Sequence, residues 1–516
     1  MAARRLFWAA LLIGGGALLL TGLGRRDLWQ DEAETALLAR SVLVHGKPVA
    51  FDGLNVVSGE TSHEFGPDYV WRWSPWLQIY VVAGAFKTLG EGAAQARLPF
   101  ALIGLCCLPL TFWWVRRLFE DERLARLSAG LLAVHVPFLL HMRQARWYAL
   151  AAAAACGLLG FGPALLKGGR RRDVIGAALC AAVLFYANFL VAAALFVAFA
   201  LGALALGVDR KGLKALGAAL ALAALLCLPG ILLHRGMAGQ EAARFLVMKT
   251  VRQAFGYGAW TLLWICPLPV FALALWHGRG DRRARFLALS LGGLVLALAL
   301  GPWRFFRYLV PLAPVGAALE AYALSSLWKK SRAGAVLLGA VLVCTDLLSA
   351  PLYLTLPKKL GTFDRNKIVG EIGSPLLGYF RELGHELDAC ERAAAAYLNA
   401  NARPGDVVLA TYGDLVLQFY TKGLKIVGGF QGLKLPPEPD WIVVQPNILS
   451  FEPGKDADVF RFLAARVDVR AYERVPLSCE SAMLAACPEP WTHEYVPSDK
   501  PALKLLKRIK PRPARF

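Results

Sequence analysis

Residues 6–24 read LFWAALLIGGGALLLTGLG, and residues 25–34 continue RRDLWQDEAE. The first stretch is apolar throughout and about as long as a helix needs to be to cross a bilayer. Arg4 and Arg5 precede it, and Arg25-Arg26-Asp27 follow without a good cleavage pattern. It is therefore expected to be an uncleaved membrane anchor and not a signal peptide. The second stretch sets three carboxylates, Asp31, Glu32 and Glu34, just beyond the end of that anchor. Asp31 and Glu34 are three apart, so in a helix they share a face. Two readings stand for this cluster. One is a helix start where the dipole favours acids; the other is a carboxylate base held at the outer leaflet.

The rest of the chain extends the membrane reading. Its 516 residues are 57% hydrophobic and only 18% charged, and its mean hydropathy is +0.47. A soluble globular chain averages roughly 45–50% apolar and about 25% charged, so a chain of soluble domains is excluded, and so is disorder. Further apolar runs lie near 98–115, 124–140, 149–166, 174–189, 190–208, 213–233, 258–277, 284–301, 308–328 and 332–350, giving about eleven spans with the first. Residues 76–90 (WLQIYVVAGAFKTLG) are apolar but too short to span comfortably.

Charge decides how that segment is counted. If it lies on the surface and the N-terminus is cytoplasmic, the basic clusters Arg4-Arg5, Arg116-Arg117, Arg170-Arg171-Arg172, Arg282-Arg283 and Lys329-Lys330 all fall inside. If it spans, most of them would be translocated, which the positive-inside bias disfavours. The formal net charge of +20 is then largely an orientation signal, and nucleic acid is not needed to explain it. The expected architecture is a polytopic α-helical membrane module over residues 1–350, with a large extracytoplasmic first loop at 25–97. An extracytoplasmic α/β domain is expected over 351–516. Within it Glu386–Asn401 and Asp414–Tyr420 look helical, while DVVLAT (406–411), LKIVGG (424–429) and WIVVQP (441–446) look like short buried strands. The basic C-terminal KLLKRIKPRPARF (504–516) reads as a solvated or headgroup-facing tail. Of the ten cysteines, Cys390, Cys479 and Cys487 fall in this domain, where a Cys479–Cys487 disulfide is one option.

Two further groups of residues carry chemistry. In the first loop, Glu60, His63, Glu64 and Asp68 precede Trp71-Arg72-Trp73-Ser74-Pro75-Trp76. The tryptophans suit a membrane-interface belt. The acids and His63 are metal-type ligands, but their spacing matches no strong motif, so a divalent metal is not favoured. The second group is arginines on the outer side: Arg143 and Arg146 in HMRQARWY (141–148), and Arg304 and Arg307, with Tyr308, in PWRFFRY (302–308). A guanidinium left outside against the general bias suits a phosphate, which it binds through paired charge-assisted hydrogen bonds. Lipid headgroups are the plainer partner.

These features together resemble the GT-C superfamily of integral-membrane glycosyltransferases. The nearest branches are bacterial aminoarabinose transferases acting on lipid A and protein O-mannosyltransferases. The resemblance rests on DEAETALLARSVLVHGKPV after the first span, WSPWLQIYVVAGAFKTLG, the Ala96-Arg97-Leu98-Pro99-Phe100 opening of the next span, and RYLVPLAPVGAALEA late in the membrane part. It implies transfer of a sugar from a polyprenyl-phosphate donor to an acceptor hydroxyl or phosphate on the extracytoplasmic side, in a cell envelope. Asp31 would be the base, with Glu32 beside it. The outer arginines would hold the donor phosphate, and Glu60, His63, Glu64, Arg72, Trp73 and Trp76 would shape acceptor or lipid access. The chain departs from the pattern at Tyr148, near where many relatives carry an acid, and at Ser74-Pro75-Trp76-Leu77, where Pro-Pro-Leu is usual. The Ala-, Arg- and Gly-rich composition suggests a bacterial inner membrane facing the periplasm. A transporter or flippase for lipid-linked glycans is the alternative; it is expected to show broken helices and midplane charges.

Overall fold

A computed structural model describes residues 2–59, 61–234, 247–301, 304–349, 373–386 and 389–428. Beyond these it describes 431, 433–434, 438–445, 463, 467–479, 481–482, 497–498 and 503–509. The chain forms two compact units. The first takes residues 1–21, 100–383 and 489–491; the second takes 22–99, 384–488 and 492–516. The first loop and the C-terminal region thus belong to one unit, although most of the membrane part separates them in sequence.

The helices run in chain order as α1 (Ala2–Leu20), α2 (Gln30–His45), α3 (Leu77–Leu89), α4 (Ala93–Phe119), α5 (Glu122–Ala133), α6 (Val136–Met142) and α7 (Tyr148–Leu165). They continue as α8 (Arg171–Ala187), α9 (Phe189–Leu206), α10 (Arg210–His234), α11 (Val247–Trp260), α12 (Leu268–Gly278), α13 (Arg282–Ala299), α14 (Ala313–Trp328) and α15 (Arg332–Cys344). Each apolar run singled out in the sequence is mainly helical. Among the described residues, five helices can cross a membrane alone by length and composition: α4, α7, α9, α10 and the segment Phe306–Trp328 that ends in α14. Two bent pairs raise this to seven. They are α5 with α6, bent by 64°, and Lys249–Ile265 with α12, bent by 89°. Each bent pair is a broken span or a re-entrant loop. At α5–α6 the break falls at Val134-His135, just before Pro137 in the first turn of α6; proline cannot supply the backbone N–H that a continuous helix needs. The short helix α3 rises only about 20 Å at 1.5 Å per residue, less than the hydrocarbon core.

Within the first unit, α9 packs on α13, α7 on α8, α8 on α10, and α5 and α12 on α14. Close approach depends on small residues. A Cβ on Gly316 of α14 would sit 2.1 Å from the Ile265 carbonyl oxygen, and one on Gly15 of α1 would sit 2.6 Å from the Leu108 side chain. Bulk is supplied by Trp114, Phe138, Tyr257 and Phe306, all fully buried.

The second unit joins α2 and α3, which pack together, to an α/β layer. After α16 (Pro375–Gly384) come α17 (Cys390–Asn401), β1 (Val407–Ala410), α18 (Asp414–Tyr420), β2 (Lys425–Gly428), β3 (Trp441–Val444) and β4 (Tyr472–Val475). The short pair β5 (Ser481–Ala482) and β6 (Pro497–Ser498) and then β7 (Lys504–Arg508) follow. The main sheet has the order β2-β1-β3-β7-β4. Strands β2, β1 and β3 are parallel, and β7 runs antiparallel to both β3 and β4. Its core holds Val408, Leu417, Ile426, Trp441, Val443 and Leu505.

Three expectations change here. Residues 504–508 are a paired strand and not a solvated tail: Leu505 is fully buried between β3 and β4, while its basic neighbours are partly exposed or exposed. The remainder, 510–516, lies outside the described residues. The disulfide is Cys390–Cys479, with a Cα–Cα separation of 5.0 Å. It ties the start of α17 to the segment after β4, which the fold brings together across 89 residues of sequence; Cys487 lies outside the described residues. The helix expected from Glu386 begins at Cys390.

Candidate functional site

Asp31 lies in the first turn of α2 and is half-buried. Trp29 caps the helix in extended conformation, and Glu32 reaches back toward the Trp29 N–H at 3.4 Å. The Thr35 hydroxyl donates to the Asp31 carbonyl at 3.1 Å.

Glu32, next in sequence, has a different environment. It is completely buried and is held by Arg97 through two bonds, Nε to Oε1 at 2.8 Å and Nη2 to Oε2 at 2.5 Å. Arg97 spends its remaining donors on the carbonyls of Leu23, Arg26 and Asp27, each at 2.8 Å. A fork-on-fork pair of this kind is stiff and satisfies both buried charges. It fixes the chain on either side of the loop that enters α2. From sequence, Glu32 stands beside Asp31 as catalytic, and Arg97 enters only as part of the Ala96–Phe100 motif, with no site role. A lone arginine opening an apolar run is itself a signal that a buried partner is waiting.

The α/β layer holds the same helix. Gln30 donates from Nε2 to Asp414 Oδ1 at 2.8 Å, and its Oε1 accepts from the Leu415 N–H at 3.3 Å. Asp27 receives Arg392 at 2.8 Å, and the Leu28 N–H donates to the Tyr420 hydroxyl at 3.1 Å. Burial raises the carboxyls of Asp27 and Glu391, with Arg392 opposing the rise at Asp27. Burial also pushes Asp414 up to about 6, although amide donors from Gln30 and Gln431 oppose it. Neither Gln30 nor Asp414 stands out in the sequence, since each contact spans most of the chain.

The remaining first-loop candidates make local contacts. Glu64 is buried and accepts from the Ser58 hydroxyl at 2.8 Å and the Gly59 N–H at 2.6 Å, closing its own turn. Arg72 grips Asp68 at 2.7 and 2.6 Å and holds that carboxyl down to about 2. The Trp76 indole donates to the Trp71 carbonyl at 2.8 Å. Trp73 is half-buried, and His63 is exposed. Glu60 lies outside the described residues. Among the described residues no group of three or more His, Cys, Asp or Glu is arranged to hold a metal ion.

The outer arginines belong to the first unit, where tertiary structure brings their two segments together. Trp147 stacks on Tyr308 with centroids 5.8 Å apart, and His141 packs on both Tyr148 and Phe306. Tyr148, noted where relatives carry an acid, is buried in this aromatic group. Arg304 lies over the Trp260 ring at 5.1 Å, and Arg307 lies over Phe305 at 4.1 Å. Burial, and after it the charge of Arg252, act against the cation at Arg304. Such a setting favours an anionic partner. Arg143 is used differently: it donates to the Tyr379 hydroxyl at 2.9 Å and to the Thr21 carbonyl, while Tyr379 donates to the Leu18 carbonyl at 2.7 Å.

Set beside solved structures, the chain is similar to ArnT from Cupriavidus metallidurans bound to undecaprenyl phosphate. The TM-score is 0.61 at 16% identity, covering 98% of each chain. The apo form of that protein matches with a TM-score of 0.57 at 18% identity, over 91% of this chain and 96% of that one. The archaeal oligosaccharyltransferase AglB from Archaeoglobus fulgidus, in complex with an inhibitory peptide and a dolichol-phosphate, matches with a TM-score of 0.53 at 14% identity, over 92% and 73%. No protein-family model and no curated protein sequence matches the chain. The chain thus shares the fold of these proteins, and its long apolar helices are those of a multi-pass membrane protein.

Proposed function

We propose that the protein is a glycosyltransferase that moves a sugar from a polyprenyl-phosphate donor to an acceptor hydroxyl or phosphate on the extracytoplasmic side of a bacterial inner membrane. The observation that carries this reading is the state of Asp31. It is a half-buried carboxylate in the first turn of a helix, set between Gln30, which bonds to Asp414, and Glu32, which is clamped by Arg97. Two of the structures sharing the fold were solved with polyprenyl-type phosphates, undecaprenyl phosphate in ArnT and a dolichol-phosphate in AglB.

The chemistry suits one carboxylate. Asp31 accepts the proton of the acceptor hydroxyl as that oxygen forms its bond to the anomeric carbon. The bond from that carbon to the donor phosphate oxygen breaks, and its electron pair leaves with the polyprenyl phosphate. A phosphate leaves without a general acid, so the second need is positive charge where negative charge builds up. The resemblance gives that role to Arg304, Arg307, Arg146 and Tyr308, while the guanidinium of Arg143 is already engaged by Tyr379 and Thr21. A glycosidase would instead need two carboxylates flanking the bond.

The test is mass spectrometry of envelope lipids and glycans from cells with the wild-type protein, with Asp31→Asn, and with none. The expected result is a sugar-bearing species present only with the wild type, with product formation by Asp31→Asn lower by about 10²–10⁴-fold and membrane insertion unchanged. Near-normal product from Asp31→Asn removes Asp31 as the base. One observation favours the transporter alternative: the two bent helix pairs are of the broken kind that transporters use. Movement of a lipid-linked glycan across vesicles, with no covalent sugar transfer, would establish it.

A further inference from the structure

The second unit contains a parallel sheet whose ligand-binding edge is occupied by the protein's own chain. Strands β2, β1 and β3 point the same way, and β1 lies between the other two. The chain leaves β1 toward β2 on one side and later enters β3 on the other. In open α/β sheets the crevice beyond the carboxyl ends of the strands, where the connections diverge in this way, is the usual place for a ligand.

Here the occupant is the Gln30 side chain. Gly413, in left-handed conformation at φ 78°, turns the chain from β1 into α18, whose first residue is Asp414. Gly428 ends β2 without a side chain, and a Cβ there would sit 2.2 Å from the Asp414 carboxyl carbon. Asp414 therefore lies pressed over the end of β2, fully buried. Its two oxygens take one amide each, Gln30 Nε2 at 2.8 Å and Gln431 Nε2 at 2.7 Å. The Leu415 N–H donates to Gln30 Oε1. Both ends of the Gln30 amide are thus read, as a bound ligand would be. Gln30 is the first residue of α2 and directly precedes Asp31.

We propose that Asp414 is a positioning residue for Asp31. Through the Gln30 amide it fixes the rotation and entry of the first turn of α2, so the α/β layer sets the direction of the reacting carboxylate. The proposal rests on the reading of Asp31 as the base. Glu32, clamped by Arg97, holds the same turn from the other side of Asp31. A plain structural role would brace the α/β layer alone and leave Asp31 where it is.

The experiment uses the full-length protein in membranes at matched folded protein. Product is the envelope species that disappears in Asp31→Asn, and undecaprenyl phosphate serves as the binding probe. Asp414→Ala and Gln30→Ala are each expected to slow product formation by about 10- to 100-fold, the scale of a small misplacement of a reacting group. The double variant is expected to be no slower than the slower single one. Affinity for undecaprenyl phosphate should stay within about twofold, since binding does not use this turn. Hydrogen exchange over residues 28–36 should rise in both variants.

Asp414→Asn is the rescue. The introduced amide still accepts from Gln30. It can donate to Gln431 once that side chain turns over, because Gln431 Oε1 is buried with no hydrogen-bond partner among the described residues. Product formation should return to within about threefold of wild type, a loss no larger than one neutral hydrogen bond. If Asp414→Ala does not fold, Gln30→Ala tests the same contact from the other side. Faster exchange over 28–36 with unchanged product formation overturns the proposal, and so does simple additivity in the double variant. Full product from Asp31→Asn removes the base assignment and this proposal with it. Full product from Asp414→Ala beside an inactive Asp31→Asn removes this proposal alone.

Discussion

The two units are held together by different physics. In the first, apolar helices interlock through small residues such as Gly15 and Gly316, and arginines rest on aromatic rings at Trp260 and Phe305. In the second, polar pairs reach across the sequence: Arg97 to Glu32, Arg392 to Asp27, Gln30 to Asp414, and Cys390 to Cys479. The contrast follows from the solvent. Apolar association between helices gains little in lipid, so shape and close approach decide the packing there. A loop and a sheet exposed to water can be tied by directional bonds, which are strong once buried.

Breaking the strongest of these ties should show the largest effect. Arg97→Ala leaves Glu32 buried without its main counter-charge, and a loss of about 3–5 kcal/mol in stability is expected, measured by thermal unfolding in detergent. Adding Glu32→Gln should recover part of it. The disulfide comes next. Cys390→Ser, or reduction of the wild type, should lower the unfolding temperature of the second unit, with a cost of about 2–4 kcal/mol. An unchanged transition under reducing conditions would show that the bond is not formed in solution.

On the other side of the comparison, Arg304→Ala and Arg307→Ala should weaken binding of undecaprenyl phosphate, at a smaller cost in stability than Arg97→Ala. A charge-assisted bond is worth about 1.5–3 kcal/mol, or roughly tenfold or more in affinity. Arg143→Ala should reverse the pattern, with a loss of stability first, because its donors go to Tyr379 and Thr21.

The smallest effect is one of pH. Burial raises Asp414 from 3.8 to about 6, so the folded state keeps a proton that the unfolded chain releases. Its contribution to stability is full below 3.8 and is lost as pH rises through about 6. Relative to Asp414→Asn, wild type should therefore lose about 2 kcal/mol between pH 4 and pH 7. The comparison with that variant separates Asp414 from Asp27 and Glu391, which burial shifts in the same direction.

Much of the fold was legible in the sequence because it is written locally. An apolar run as long as residues 98–115 has few alternatives to a helix, and DVVLAT followed by a glycine turn reads as strand then helix. The acids at 31–34 were visible as a cluster, but their division of labour was not. Asp31 and Glu32 are adjacent and chemically alike, and only Arg97, 65 residues away, buries one of them. The C-terminal KLLKR was misread because its basic residues dominate its composition, while the one position that mattered, Leu505, is hidden by pairing with β3 and β4.

The sequence by itself determined the membrane class, the positions of the helices, the candidate base, and the arginine segments that tertiary structure joins through Trp147 and Tyr308. These follow from hydropathy, charge bias and short-range period, which act over a few turns of chain. Tertiary structure alone decided which cysteines pair, that the C-terminal strand completes a sheet, and that Gln30 and Glu32 are held from two directions around Asp31. The cysteine, Gln30 and Glu32 contacts join residues 65 to 384 positions apart, and the strand pairs with residues 30 to 66 positions away. No local preference encodes them, since each partner is an ordinary polar residue until the fold buries it beside the other.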